Sequence, residues 1–184
     1  MKILMPIFVA LSICGTANAM SAQVQACFEI ANSMYSVSNR DAARFQCING
    51  NKATISADDC MTIANSMYSV SNRDSARSIC QNGIATKVDA LGCLEIANSM
   101  YSASNRDSAR FQCINNNLGA ISVSDCATIA NSMYSVSNRD SAKFRCLQLS
   151  AITVQECTAI ANSMYSVSNR DSARLSCLQK TGGQ

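Results

Sequence analysis

The chain has 184 residues, 15 basic and 12 acidic side chains, 11 cysteines, one proline, and neither histidine nor tryptophan. Without histidine there is no Ser-His triad, no H-E-x-x-H zinc site and no imidazole base. A net charge of +3 is small for a chain acting as a polycation through bulk charge alone.

The first nineteen residues read as a secretory signal peptide. Lys2 supplies a positive start, Ile3 to Ile13 is an apolar run too short to span a bilayer, and Ala17-Asn18-Ala19 is a small-x-small cleavage site. The mature chain then starts at Met20. A lipoprotein signal ending at Cys14 is the alternative, but Ile13 stands where a small residue is expected. No later stretch is long and apolar enough to predict a membrane span. Removing Cys14 leaves ten cysteines, an even number that in an exported chain points to disulfides and to the periplasm or the extracellular medium.

From residue 20 to 184 one unit is written five times. It first reads C-F-E-I-A-N-S-M-Y-S-V-S-N-R-D-A-A-R-F-Q-C, from Cys27 to Cys47, and returns at Cys60, Cys93, Cys126 and Cys157. Starts 33, 33, 33 and 31 residues apart predict a stacked-repeat architecture with repeats at about 23–50, 56–83, 89–117, 122–149 and 153–180. We expect one helical repeat domain.

Each repeat predicts two helices. Ser56, Asp89, Ser122 and Thr153 stand four residues before a cysteine as N-caps. Asp59, Asp125 and Glu156 follow three residues later in a capping-box pattern, with Gly92 the exception. Ile55, Val88, Ile121 and Ile152 precede the caps as hydrophobic staples. Cys27, Ile30, Ala31 and Met34 recur at steps of three and four, so they share one face. A second start signal is Ser38 with Asp41, repeated as Ser71 with Asp74, Ser104 with Asp107, Ser137 with Asp140 and Ser168 with Asp171. It places a helix from near Asn39 through Cys47. Asn49-Gly50 and Asn82-Gly83 then offer glycines for a left-handed closure.

Cys27 and Cys47 lie ten residues either side of Val37, so antiparallel helices rising about 1.5 Å per residue bring them level. This favours Cys27-Cys47, Cys60-Cys80, Cys93-Cys113, Cys126-Cys146 and Cys157-Cys177. The rival joins Cys47 to Cys60, Cys80 to Cys93, Cys113 to Cys126 and Cys146 to Cys157. It strands Cys27 and Cys177 and requires varying spans. The expected fold is all-α, a solenoid-like stack of five disulfide-stapled antiparallel helical hairpins.

From Ile30 to Asp41 the copies are identical except at Val37, Val70, Ala103, Val136 and Val167, whereas the connectors share little. Stacking between repeats explains this best, with Asn32, Asn65, Asn98, Asn131 and Asn162 satisfying neighbouring backbone groups. A periodic ligand surface is the competing cause. Its candidates are Tyr35, Tyr68, Tyr101, Tyr134 and Tyr165 at the bends, whose rings are more simply read as covering the hairpin tips, and the pairs Arg40 and Arg44, Arg73 and Arg77, Arg106 and Arg110, Arg139 and Lys143, Arg170 and Arg174. Four-residue spacing puts each basic pair on one face, a stripe suited to a polyanion or glycan. Asp41 and its copies precede the second basic residue by three, which favours a solvated face of ion pairs. Met34, Met67, Met100, Met133 and Met164 sit beside the isoleucines and read as core filling rather than a thioether metal array.

The period and the helix-turn-helix unit are similar to those of tetratricopeptide repeats. The W-x2-L-G-x2-Y opening and the closing Pro are absent and the paired cysteines are extra, so the likeness is one of architecture. It transfers no binding residues. No P-loop, dinucleotide-binding G-x-G-x-x-G or G-x-S-x-G elbow occurs. The expectation is an exported, non-catalytic scaffold with no cofactor and no metal, whose repeated surface binds a protein or peptide partner. The alternatives are a subunit that self-associates end to end, and a polyanion-binding protein using the arginines.

Overall fold

The computed structural model describes residues 20–84 and 88–181. The expected signal peptide, with Cys14, lies outside them. The described residues form ten helices and no strand: α1 Ala22–Ser33, α2 Val37–Gly50, α3 Ala57–Asn65, α4 Val70–Asn82, α5 Ala90–Ser99, α6 Ala103–Asn117, α7 Val123–Asn131, α8 Val136–Cys146, α9 Val154–Asn162 and α10 Val167–Thr181. Consecutive pairs form five hairpins. Each is closed by the within-repeat disulfide, Cys27–Cys47, Cys60–Cys80, Cys93–Cys113, Cys126–Cys146 or Cys157–Cys177, the partners standing 20 positions apart. Helices of nine to fifteen residues are marginal alone. A loop of this size contributes about 3 kcal/mol per bond by restricting the unfolded chain. Such bonds form and persist in an oxidising environment.

The first-helix caps fall as the sequence predicts. Ser56, Asp89, Ser122 and Thr153 accept from the N–H three residues on. Only Thr153 completes a reciprocal box, its own N–H donating to Glu156 at 2.9 Å. At Asp59 and Asp125 the side chain is one methylene shorter. Repeat one, with Gln23 at the equivalent position, is capped instead by Ser21.

Two local expectations are corrected. The second helix of each hairpin begins at Val37, Val70, Ala103, Val136 or Val167, and the cap is Ser36, Ser69, Ser102 or Ser135 in the first four repeats, two residues before the Ser38-type residue. Ser38 hydrogen-bonds the Ser36 hydroxyl at 3.0 Å, and Asp41 is drawn to the neighbouring repeat. Nor does any described glycine adopt positive φ. Helix ends are held by asparagine instead: Asn51 Nδ2 donates to the Cys47 carbonyl at 2.8 Å and Asn117 Nδ2 to that of Cys113 at 2.9 Å.

Ala31, Ala43, and the isoleucine and methionine of repeats two to five line the interior, and the second helices α2, α4, α6 and α8 pack in succession. In repeat one, which has no preceding hairpin, Ile30 is exposed and Met34 half-buried, against the expectation from spacing. The buried apolar residues divide into one cluster over repeats one and two and another over repeats three to five. Gln81 stands at the break, where other repeats place Ile48, Ile114 and Leu147. Its Nε2 donates to the Ala109 carbonyl at 2.7 Å, while its Oε1 is buried without a partner. Among the described residues no helix is long and apolar enough to cross a membrane.

Candidate functional site

The twelve-residue near-identical stretch crosses the bend of each hairpin, and its side chains divide between a seam inside the stack and an edge in solvent. The seam is built on Asp41. Its carboxylate is buried and accepts from the Tyr68 and Ser69 N–H groups, both at 3.0 Å, and from Asn72 Nδ2 at 3.1 Å, all in the next repeat. Asp74, Asp107 and Asp140 repeat this toward Tyr101 and Ser102, Tyr134 and Ser135, and Tyr165 and Ser166. The bend leaves these N–H groups without helical partners, so the preceding aspartate supplies what the next hairpin lacks.

Arg44 completes the seam. Its Nη1 donates to the Ser66 carbonyl of the next repeat at 2.6 Å and to Asp41 at 3.3 Å, and its Nε and Nη2 share Asn32 Oδ1. Arg77 and Arg110 reach Ser99 and Ser132 in the same way, both at 2.5 Å. In repeat four Lys143 reaches only the Ser163 carbonyl, at 2.6 Å, because an ammonium lacks the planar fork that engages asparagine as well.

Burial pushes the seam carboxyls up, but hydrogen bonds from two backbone N–H groups and an asparagine outweigh it. All four are held below the ordinary carboxylate value. Burial lowers Arg77, Arg110 and Lys143 from their ordinary values despite the adjacent aspartates.

This arrangement corrects the sequence reading in two respects. The asparagines at Asn32, Asn65, Asn98 and Asn162 accept from the arginine of their own repeat, not from neighbouring backbone. The basic pairs also do not form a solvated face: Arg44, Arg77, Arg110 and Lys143 are buried, and in the second column only Arg174 is exposed. In the first column Arg40, Arg73, Arg139 and Arg170 are half-buried and donate to Met34, Met67, Met133 and Met164 carbonyls, holding the end of the first helix. Arg106 turns to the Tyr101 carbonyl.

The edge is made by the tyrosines. Tyr35, Tyr68, Tyr101, Tyr134 and Tyr165 are each at least 74% exposed, one per bend. Val37, Val70, Val136 and Val167 are exposed beside them. No tyrosine hydroxyl has a hydrogen-bond partner among the described residues. With packed helices roughly 10 Å apart, stacking repeats the ring at about that interval. An open groove of about 540 Å³ also runs between α6 and α8, lined by Phe111, Gln112, Asn115, Asn138 and Ser141.

The sequence pointed to stacking and to the Asp41–Arg44 pair, but the seam partners of Asp41 were missed because they are 27 to 31 residues away. The available signal was the unchanged Asp and Asn at positions that a solvated face leaves free to vary. No protein-family model, curated protein or solved structure matches the chain.

Proposed function

We propose that the protein is an exported, non-catalytic scaffold, working in the periplasm or outside the cell, that binds a protein or peptide partner along its tyrosine edge. One observation carries this reading. Within the near-identical stretch Ile63, Ala64 and Met67 are buried, Asn65, Ser69 and Arg73 hold the hairpin, and Asn72 and Asp74 join it to its neighbours, while the Tyr68 ring is 75% exposed and its hydroxyl has no hydrogen-bond partner among the described residues. The rings at the other four bends are exposed in the same way. Stacking explains why those residues are repeated, and leaves the rings unexplained. Tyrosine presents a large, stiff surface with a polar tip and is enriched where proteins bind one another. Five in register offer a long contact that gains through multivalency.

The test replaces all five tyrosines by serine and compares partners captured from the native envelope or secreted fraction. The oxidised fold, followed by circular dichroism and the five disulfides, is expected to survive while specific capture is lost. Identical partners on both proteins would refute the reading.

A further inference from the structure

Every junction between the described repeats joins two complementary half-sets of groups, with Lys143 in place of arginine at the last, and the first and last repeats each carry one half-set without the other. On the last repeat Asp171 and Arg174 sit at the seam positions. Their side chains are 64% and 49% exposed, against 2% and 9% for Asp107 and Arg110, and they pair with one another at 3.3 Å. On the first repeat the Tyr35 and Ser36 N–H groups, the side-chain Nδ2 of Asn39 and the Ser33 carbonyl take no partner among the described residues, while the Asn39 backbone N–H donates to Ser36 Oγ. In repeats two to five the equivalent groups are engaged by the repeat before. The apolar faces match as well. Ile30 is 64% exposed where Ile63 and Ile129 are fully buried, and Leu175 is exposed where Phe111 and Phe144 are partly covered. Terminal repeats of a solenoid usually carry a distinct polar outer face that keeps molecules apart, whereas here the first and last repeats keep the internal pattern and leave Ile30 and Leu175 uncovered.

We infer that the last repeat of one molecule seats on the first repeat of a second copy. Asp171 then accepts from the Tyr35 and Ser36 N–H groups and the Asn39 amide of that copy, and Arg174 donates to its Ser33 carbonyl. This is a fifth junction of the kind made four times within the chain, and the second copy is the one partner known to carry the complementary set. The two surfaces differ, so the contact is heterologous and propagates head to tail. It extends the tyrosine edge from molecule to molecule but does not depend on it, so its failure leaves the partner-binding reading standing.

Sedimentation of the oxidised full chain across the micromolar to millimolar range tests this, using Ile30→Glu to block the first face and Asp171→Lys to block the last. Wild type is expected to grow past the dimer with concentration. Each variant alone should stay monomeric, and an equimolar mixture should stop at a one-to-one pair, because each retains one working face. Asn39→Ala and Arg174→Gln, at exposed positions, probe the same faces with smaller changes and should each weaken association about tenfold. A wild type monomeric throughout, variants that assemble as wild type does, or a mixture that forms no pair would each overturn the inference.

Discussion

Replacing Asp107 by asparagine isolates one seam. The Asp107 carboxylate accepts from Tyr134 N–H at 2.7 Å, Ser135 N–H at 2.8 Å and Asn138 Nδ2 at 3.2 Å, and faces Arg110 at 3.5 Å. Asparagine has nearly the same shape but keeps a single acceptor, so its amide group would confront one of those donors. A hydrogen bond to a charged group is worth roughly 1.5–3 kcal/mol, and breaking a buried charged pair costs about 3–5 kcal/mol. Arg110 retains Asn98 and the Ser132 carbonyl, which puts the loss near the lower figure, about 3 kcal/mol.

The measurement is urea unfolding with the disulfides intact, together with amide exchange at Tyr134 and Ser135, which should open selectively. The folded-state value of Asp107 lies below the ordinary carboxylate value of about 3.9, so its stabilisation is complete above that pH and is lost as pH falls through the lower folded value. The gap between wild type and variant should therefore be full at neutral pH and close in acid. Asp171→Asn, at an exposed position, should cost under about 0.5 kcal/mol. An Asp107→Asn loss within about 0.5 kcal/mol of zero, or one no larger than that of Asp171→Asn, would refute the seam as a source of stability.

Gln81→Ile should stabilise by about 1–3 kcal/mol in the same unfolding assay, since it removes a buried orphan oxygen and joins the two apolar clusters. Lys143→Arg should add about 1–2 kcal/mol by engaging Asn131 as Arg110 engages Asn98, with a crystal structure of the variant checking the new bonds. Reduction of the five disulfides should remove roughly 3 kcal/mol per hairpin and abolish the helical circular dichroism signal at 37 °C; a reduced chain of unchanged helicity would refute the assigned role of the bonds.

The hairpins were legible because their signals are short-range. Cys27 and Cys47, the caps Ser56 and Thr153, and the spacing of Ile30, Ala31 and Met34 all act within about one hairpin, where helical geometry converts spacing into direction. The second helix start was misjudged because Ser36 and Ser38 are equally good caps by type. The earlier serine is the cap even in repeat five, where Asn169 N–H donates to Ser166 Oγ at 3.4 Å although no described repeat follows to draw Asp171 away, so the choice is made within the hairpin bend. Arginine at the fourth residue of an acidic pair looks the same in sequence whether water or a neighbouring hairpin covers it.

By itself the sequence determined five helical pairs, their cross-links and the face that each turns inward, because periodicity and loop length are properties of consecutive residues. Only the tertiary structure decided that Asp41 and Arg44 are interior and Tyr35 exterior. Each hairpin bend leaves backbone N–H and carbonyl groups unsatisfied, and stacking brings the charged pair of one repeat onto those of the next, leaving the tyrosine rings outside.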